Sequence, residues 1–126
     1  MDYGTEVRQR FAAPARLGEL PKDAGGTVEG SAEDRSLSVW VRFQVQLESG
    51  TIRQARFRAF GCPHLLAAAD RVAALVEGRP VDELTAIDWP ELARQLALPR
   101  EKFGKLLRIE DALRACLAGA GHVAES

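Results

Sequence analysis

The clearest pattern in the chain is a strict alternation of apolar and mostly polar side chains between residues 37 and 48. The apolar positions are Leu37, Val39, Val41, Phe43, Val45 and Leu47. A period of two is that of a half-buried β-strand. Ser49-Gly50 then predicts a two-residue hairpin turn, and residues 51–60 predict the returning strand. The apolar phase changes along that return, which predicts a β-bulge near Gln54.

Helical spacing accounts for most of the remaining apolar residues. A four-residue spacing predicts a short N-terminal helix with its apolar stripe at Tyr3, Val7 and Phe11. A second stripe predicts a helix that follows Cys62 and ends at Glu77-Gly78, with apolar positions at Leu65, Ala69, Val72 and Val76.

Two further helices are predicted toward the C-terminus, after one or two helical turns over residues 81–87. One begins at Asp88, which can cap it with Glu91 three residues later, and runs to about Ala97. Leu98-Pro99 interrupts the pattern, and the last helix runs from about Arg100 to Leu117.

The order is therefore a helix, a long glycine- and proline-rich loop over residues 12–30, strands, and then a block of helices. Segregated strands and helices predict an α+β fold, with a three-stranded antiparallel sheet and helices packed on one face. The third strand is assigned to 27–32, the stretch left for it. We expect one domain over residues 1–126.

Composition excludes several function classes. A net charge of −1 and a pI near 6.1 do not favour nucleic acid or an anionic membrane as partner. The arginines at 42, 53, 56 and 58, near Trp40, therefore indicate a solvated face. Two cysteines make no disulfide framework, and no apolar run approaches the ~20 residues of a membrane span, so we expect a cytoplasmic protein.

Cys62 is the candidate for chemistry. The run Gly61-Cys62-Pro63 predicts a strand, a tight turn and a helix with the thiol at its N-terminus. The unpaired N–H groups and the positive end of the helix dipole there favour a thiolate. A small buried cysteine is the alternative. The chain has neither a glycine-rich phosphate loop nor a Ser-His-Asp grouping, so we do not expect an enzyme.

Several short motifs follow one another at characteristic spacing. They are Pro14 with Leu17-Gly18, Phe57-x-x-Phe60-Gly61-Cys62, Glu77-Gly78-Arg79, Leu98-Pro99-x-x-Lys102 and Glu110-Asp111-Ala112-Leu113. In this order they resemble, nearly end to end, the iron–sulfur cluster scaffold family that includes IscU and the N-terminal domain of NifU. The resemblance implies a protein that binds iron or a [2Fe–2S] cluster and works with a cysteine desulfurase or other assembly factors.

The resemblance also implies which residues form the site. Family members hold a nascent cluster with three cysteines, an aspartate and a histidine. Here Cys62 and Asp34 occupy two of those positions, whereas Ala32 replaces the first cysteine, Gly104 the histidine and Lys105 the last cysteine. An ammonium at the last position would repel iron and, if near Cys62, stabilise its thiolate.

Three other residues are candidates for substitute ligands. His64 could form a Cys-x-His metal pair with Cys62, although a solvent-exposed histidine in the first helical turn is the expected interpretation. Cys116 lies on the apolar stripe of the last helix and is expected in the core, and His122 lies in a glycine-rich tail. The metal candidates are therefore Cys62, Asp34 and His64.

Three functions remain open at this point. The chain is expected to be a divergent scaffold-like protein with weak or lost cluster binding. Alternatively, it is a docking module of the assembly machinery, or a thiol or persulfide carrier that acts through Cys62. Two facing copies could together supply four ligands, so a homodimer is possible in principle. The change to Arg100-Glu101 within the family's Leu-Pro-Pro-Val-Lys motif alters the segment that a chaperone binds.

Overall fold

A computed structural model describes residues 4–21 and 25–125, with side chains described as far as Ala118 except at 84–86. Within these residues the chain forms three strands and four α-helices: α1 (Thr5–Ala12), β1 (Thr27–Asp34), β2 (Val39–Glu48), β3 (Thr51–Phe60), α2 (Pro63–Val76), α3 (Trp89–Gln95) and α4 (Phe103–Glu125). Short 3₁₀ turns lie at Arg35–Leu37, Val81–Ala86 and Arg100–Lys102.

The strands form one antiparallel sheet in the order β1-β2-β3, which confirms the predicted architecture and the third strand. The hairpin turn has φ of 54° at Ser49 and 77° at Gly50, the left-handed values that a tight hairpin needs. Gln46 pairs with Gln54 but Leu47 pairs with Ile52. The strand β3 therefore has one extra residue, Arg53, between these two pairs. The predicted bulge is therefore confirmed.

The helices α2 and α4 cover one face of this sheet, to which the odd-numbered residues of β2 contribute. The buried core joins that face to both helices, and Phe43 lies 6.5 Å from Phe57 between ring centroids. The alternation thus predicted correctly that the odd-numbered side chains from Val39 to Val45 are buried, because successive side chains of a strand point to opposite faces. Leu47 is only partly buried, and Leu37, outside the strand, is 36% exposed.

Gly30 allows α4 to lie directly against β1. A Cβ added at Gly30 would stand 2.1 Å from the backbone nitrogen of Cys116, closer than any side chain can come. The Cys116 thiol lies at this crossing and donates a hydrogen bond to the carbonyl of Val28 at 3.6 Å. Cys116 is fully buried, as expected for a core residue.

Hydrogen bonds attach the loop before β1 to the sheet. The N–H of Phe57 donates to the carbonyl of Arg16 at 3.0 Å, and Gly18 returns a bond to the carbonyl of Phe57 at 2.9 Å. Further on, the N–H of Leu20 donates to Gln44 Oε1 at 2.9 Å. The chain from 16 to 20 therefore runs beside β3 and onto the polar face of the sheet.

A charged network that was not predicted from the sequence holds α1 to α2. Asp70 is only 1% exposed, and its carboxylate accepts from Arg10 Nη1 at 2.7 Å and from the N–H of Arg16 at 2.9 Å. Glu6 pairs with Arg71 at 2.6 Å beside it. The available signal was an aspartate within a largely apolar helix, since a buried charge needs a partner.

Several predicted boundaries were wrong. The strand begins at Val39 because Arg35–Leu37 forms a 3₁₀ turn, and α3 ends at Gln95. The last helix continues to Glu125, well past Leu117. Phe11 is 47% exposed, so Val7 alone of the described stripe is buried, and Tyr3 lies outside the described residues.

The arginine face consists of paired charges. Arg42 and Arg58 both contact Glu19, at 2.6 and 3.3 Å, while Arg56 contacts Glu77 at 3.3 Å. Within the described residues, no helix is long and apolar enough to cross a membrane.

Candidate functional site

Cys62 occupies the junction between the sheet and the second helix, as the sequence predicts. It is the N-cap residue of α2, with φ −79° and ψ 168°, and Pro63 follows in the first turn. The backbone is still extended at Cys62 and becomes helical at the next residue. That residue is a proline, which has no N–H that would need a hydrogen-bond partner in the first turn. Cys62 as a residue is half-buried.

Lys105 reaches this thiol from α4. Its Nζ lies 3.4 Å from Cys62 Sγ, although the two residues are 43 positions apart in the chain. Stabilisation of the thiolate by Lys105 was predicted on the condition that the two residues are close, and that condition is met. The residue that the resemblance places at the family's last cysteine is therefore a lysine in contact with Cys62.

The surroundings lower the pKa of the Cys62 thiol below its ordinary value. Burial is the largest single influence and acts in the opposite direction, because it disfavours charge. The backbone N–H of Leu65 and the Lys105 ammonium outweigh it, with a smaller contribution from the N–H of His64. The helix start and a basic side chain together favour the thiolate.

His64 is buried, so its expected exposure to solvent was wrong. The side chain is 2% exposed and packs between α2 and α4, among Leu98, Lys102 and Leu106. Burial, together with the positive charges of Lys102 and Lys105, lowers its pKa. The warning in the sequence was the run of alanines after it, since a helix that is apolar nearly all round is buried on most sides.

Asp34 caps the 3₁₀ turn that follows β1. Its Oδ1 accepts from Ser36 Oγ at 2.5 Å and from the N–H of Leu37 at 3.2 Å. The Ser36 hydrogen bond is the main reason that the pKa of Asp34 is lowered, and the charge of Arg108 on α4 acts in the same direction. Asp34 thus has a structural task in its own turn.

The other two positions at which the resemblance implies a replaced ligand, Ala32 and Gly104, lie in β1 and at the start of α4. A Cβ at Gly104 would be 3.4 Å from Leu37 Cδ1, which places the turn after Asp34 against the first turn of α4. Ala32 is partly buried in β1, opposite Val41. Among the side chains that the structure describes, which end at Ala118 and leave out 84–86, no three His, Cys, Asp or Glu are grouped so that they could hold a metal ion.

The amino-acid sequence matches a known protein family along most of its length. The model of the NifU-like N-terminal domain matches residues 2–119. The chain belongs to this family. The protein is 30% identical over 116 residues to the iron–sulfur cluster assembly protein IscU of Plasmodium falciparum, with 90% of this chain and 70% of the relative covered.

Two other comparisons agree with this assignment. The iron–sulfur cluster assembly scaffold protein IscU of Escherichia coli K12 is 27% identical over 119 residues, which covers 94% of this chain and 93% of the relative. The crystal structure of a nitrogen-fixing NifU-like protein (N-terminal) from Brucella abortus superposes with a TM-score of 0.72 at 14% identity, over 94% of each chain. The fold, the family and its scaffold character agree with the expectation from the sequence motifs.

Proposed function

We propose that this chain is a divergent scaffold-like protein of iron–sulfur cluster assembly in which cluster binding is weak or lost. The observation that carries the proposal is the 3.4 Å contact between Lys105 Nζ and Cys62 Sγ. Iron–sulfur clusters are held by several thiolates, which are soft and negatively charged ligands. Beside Cys62 the chain offers the Lys105 ammonium, which would have to move away before iron could approach the sulfur.

The other candidate ligands support the same proposal. Asp34 holds its own turn through Ser36 and Leu37, and His64 is packed between helices. A binding iron would have to compete with both arrangements. We propose iron–sulfur assembly factors, such as a cysteine desulfurase, as partners, since the chain keeps the family fold while its ligand set has changed. A cytoplasmic location, a single domain and a possible homodimer remain predictions.

Anaerobic reconstitution with iron and sulfide tests the loss of cluster binding. We expect the unmodified chain to develop no more bound visible chromophore than its Cys62→Ser variant. A matched triple variant, Ala32→Cys with Gly104→His and Lys105→Cys, restores the family's ligand types, and we expect it to gain a chromophore. Circular dichroism of the triple variant confirms folding, because the new side chain at position 104 approaches Leu37. A stoichiometric cluster in the unmodified chain that disappears in Cys62→Ser would overturn the proposal.

The lowered pKa of Cys62 favours a second candidate, a thiol that accepts sulfur as a persulfide. The thiolate would attack the sulfane sulfur of a persulfide or polysulfide donor, and the donor's own sulfur would leave as a thiolate. Lys105 Nζ lies beside Cys62 Sγ, where it can stabilise the thiolate before the step and the persulfide anion after it. Mass spectrometry after anaerobic exposure to polysulfide should show one added sulfur on Cys62, absent in Cys62→Ser. No added sulfur on Cys62 would reject this candidate.

A further inference from the structure

The neighbour of Cys62 is itself a nucleophile once it has lost a proton. Lys105 Nζ stands 3.4 Å from the sulfur, close to the distance at which two reacting atoms meet before a bond forms. Within the described residues, Lys105 forms no ion pair with a carboxylate that would hold it elsewhere. The two side chains start from different elements, the N-cap of α2 and the first turn of α4. A bond between them would therefore join two helices.

The second cysteine cannot serve as the partner of an oxidised Cys62. Cys116 is one of only two cysteines in the chain, is 0% exposed, and donates its S–H to the carbonyl of Val28. It lies eleven residues beyond Lys105 on α4, roughly 16 Å along the helix axis. Sulfenic acids normally condense with a nearby thiol or nitrogen. At Cys62 the nearby group is an amine.

We propose that Cys62 and Lys105 form an oxidative modification site, in which a hydroperoxide oxidises the thiol and the lysine captures the product in a sulfur–nitrogen bond. This proposal rests on the reactive Cys62 of the second candidate function. Cys62 is only half-buried as a residue, and oxidation occurs preferentially at accessible thiolates.

The two steps balance with the peroxide as the oxidant. In the first, the Cys62 thiolate attacks one peroxide oxygen, the O–O bond breaks, and a sulfenic acid and an alkoxide or hydroxide form. In the second, that alkoxide or hydroxide takes a proton from the Lys105 ammonium, the freed amine nitrogen attacks the sulfenic sulfur, the S–O bond breaks, and the hydroxyl leaves as water with a second proton from the amine. The sulfur is oxidised by two electrons overall, and the peroxide is reduced. The product is a sulfenamide that has lost two hydrogens relative to the starting pair.

The bond would protect the thiol and lock the site. A sulfenamide is reopened by a thiol reductant, whereas further oxidation to a sulfinic acid is irreversible without a dedicated repair enzyme. While the bond exists, neither sulfur acceptance nor metal binding at Cys62 is possible. The site would thus switch off under peroxide and recover afterwards.

Peptide mapping after mild hydrogen peroxide treatment tests the proposal. We expect the Cys62 peptide to be linked to a peptide that spans Lys105, without tryptic cleavage after Lys105 and with the loss of two hydrogens, and dithiothreitol should release it. Lys105→Arg is the matched control, because it keeps the positive charge, but its guanidinium stays protonated and does not attack. In that variant we expect no link and a larger yield of sulfinic acid at Cys62.

A link from Cys62 to a neighbouring backbone nitrogen, or to Cys116, would overturn the inference. Equal conversion to sulfinic acid in the unmodified chain and in Lys105→Arg would overturn it too, as would the absence of any link. Polysulfide loading of the same preparation separates the two proposals. A chain that accepts sulfur but forms no link contradicts this inference alone, whereas a Cys62 that reacts with neither reagent contradicts both.

Discussion

The two cysteines of this chain have the same side chain and opposite environments. Cys62 stands at the start of α2, half-buried, beside a lysine, and its thiol has a lowered pKa. Cys116 lies within α4, against β1, and burial raises the pKa of its thiol to about 12. Burial, position on a helix and the nearby Lys105 together decide the difference. The start of a helix presents unpaired N–H groups, whereas in the middle of a helix the backbone donors are already bonded to carbonyls.

The largest contrast we expect is in native alkylation. With iodoacetamide at neutral pH, Cys62 should be labelled directly, but Cys116 must wait for the core to open. Opening a core costs a free energy on the order of the global stability of ~5–15 kcal/mol, so Cys116 should react at least ~10³ times more slowly. Mass mapping over time measures both rates.

Cys62→Ser serves as the control for this experiment, since its remaining thiol should react slowly until denaturant is added. Comparable labelling of both cysteines in the native chain would show that the crossing of α4 and β1 is not closed.

The second expected effect concerns the packing around Cys116. Gly30→Ala would place a Cβ 2.1 Å from the Cys116 backbone nitrogen and 2.5 Å from the Ala115 carbonyl carbon, so α4 would have to move off the strand. We expect a loss of about 3 kcal/mol or more in the free energy of unfolding, measured by urea denaturation.

Gly25→Ala is the matched control for that substitution, because a Cβ at Gly25 meets nothing within 4 Å. Its free energy of unfolding should stay within ~0.5 kcal/mol of the unmodified chain. If both variants lose the same stability, the close contact of α4 with β1 is not what requires glycine at position 30.

The smallest effect tests what Lys105 does for Cys62. Removing the ammonium in Lys105→Met takes away one of the influences that lower the pKa of Cys62. The pKa should therefore rise, and the pH at which alkylation reaches half its maximum rate should move upward. At any pH well below this midpoint the variant should hold a smaller thiolate fraction than the unmodified chain and react more slowly. Lys105→Arg should keep the midpoint near its original value, and an unchanged midpoint in Lys105→Met would remove Lys105 from the site's electrostatics.

The same lowered pKa links the thiol to stability. A group whose pKa is lower in the folded state binds more protons when unfolded, so its contribution to stability is present at high pH. That contribution is lost as the pH falls through the folded-state pKa of Cys62. The free energy of unfolding of the unmodified chain, relative to that of Cys62→Ala, should therefore decrease as the pH falls through the folded-state pKa of Cys62.

Local sequence patterns predicted the parts of the fold that depend on residues close together in the chain. Three features are set within a few residues each: the alternation in β2, the left-handed turn at Ser49-Gly50 and the helix cap at Asp88. The Asp88 carboxylate accepts from the N–H of Glu91 at 3.0 Å. Each follows from backbone geometry that a short segment imposes on itself. The order of the short motifs indicated the family, and the resemblance to that family assigned Lys105 to the position of the last cysteine ligand.

Contacts between distant segments decided the rest. The burial of His64 depends on Leu98 and Leu106, which arrive from later in the chain, and the need for glycine at position 30 depends on the path of α4. The pairing of Asp70 with Arg10 likewise spans 60 residues. The sequence alone determined that a thiol opens a helix at residue 62. Only the tertiary structure decided that this thiol faces an ammonium, because the approach of Lys105 is fixed by how α4 packs across the sheet.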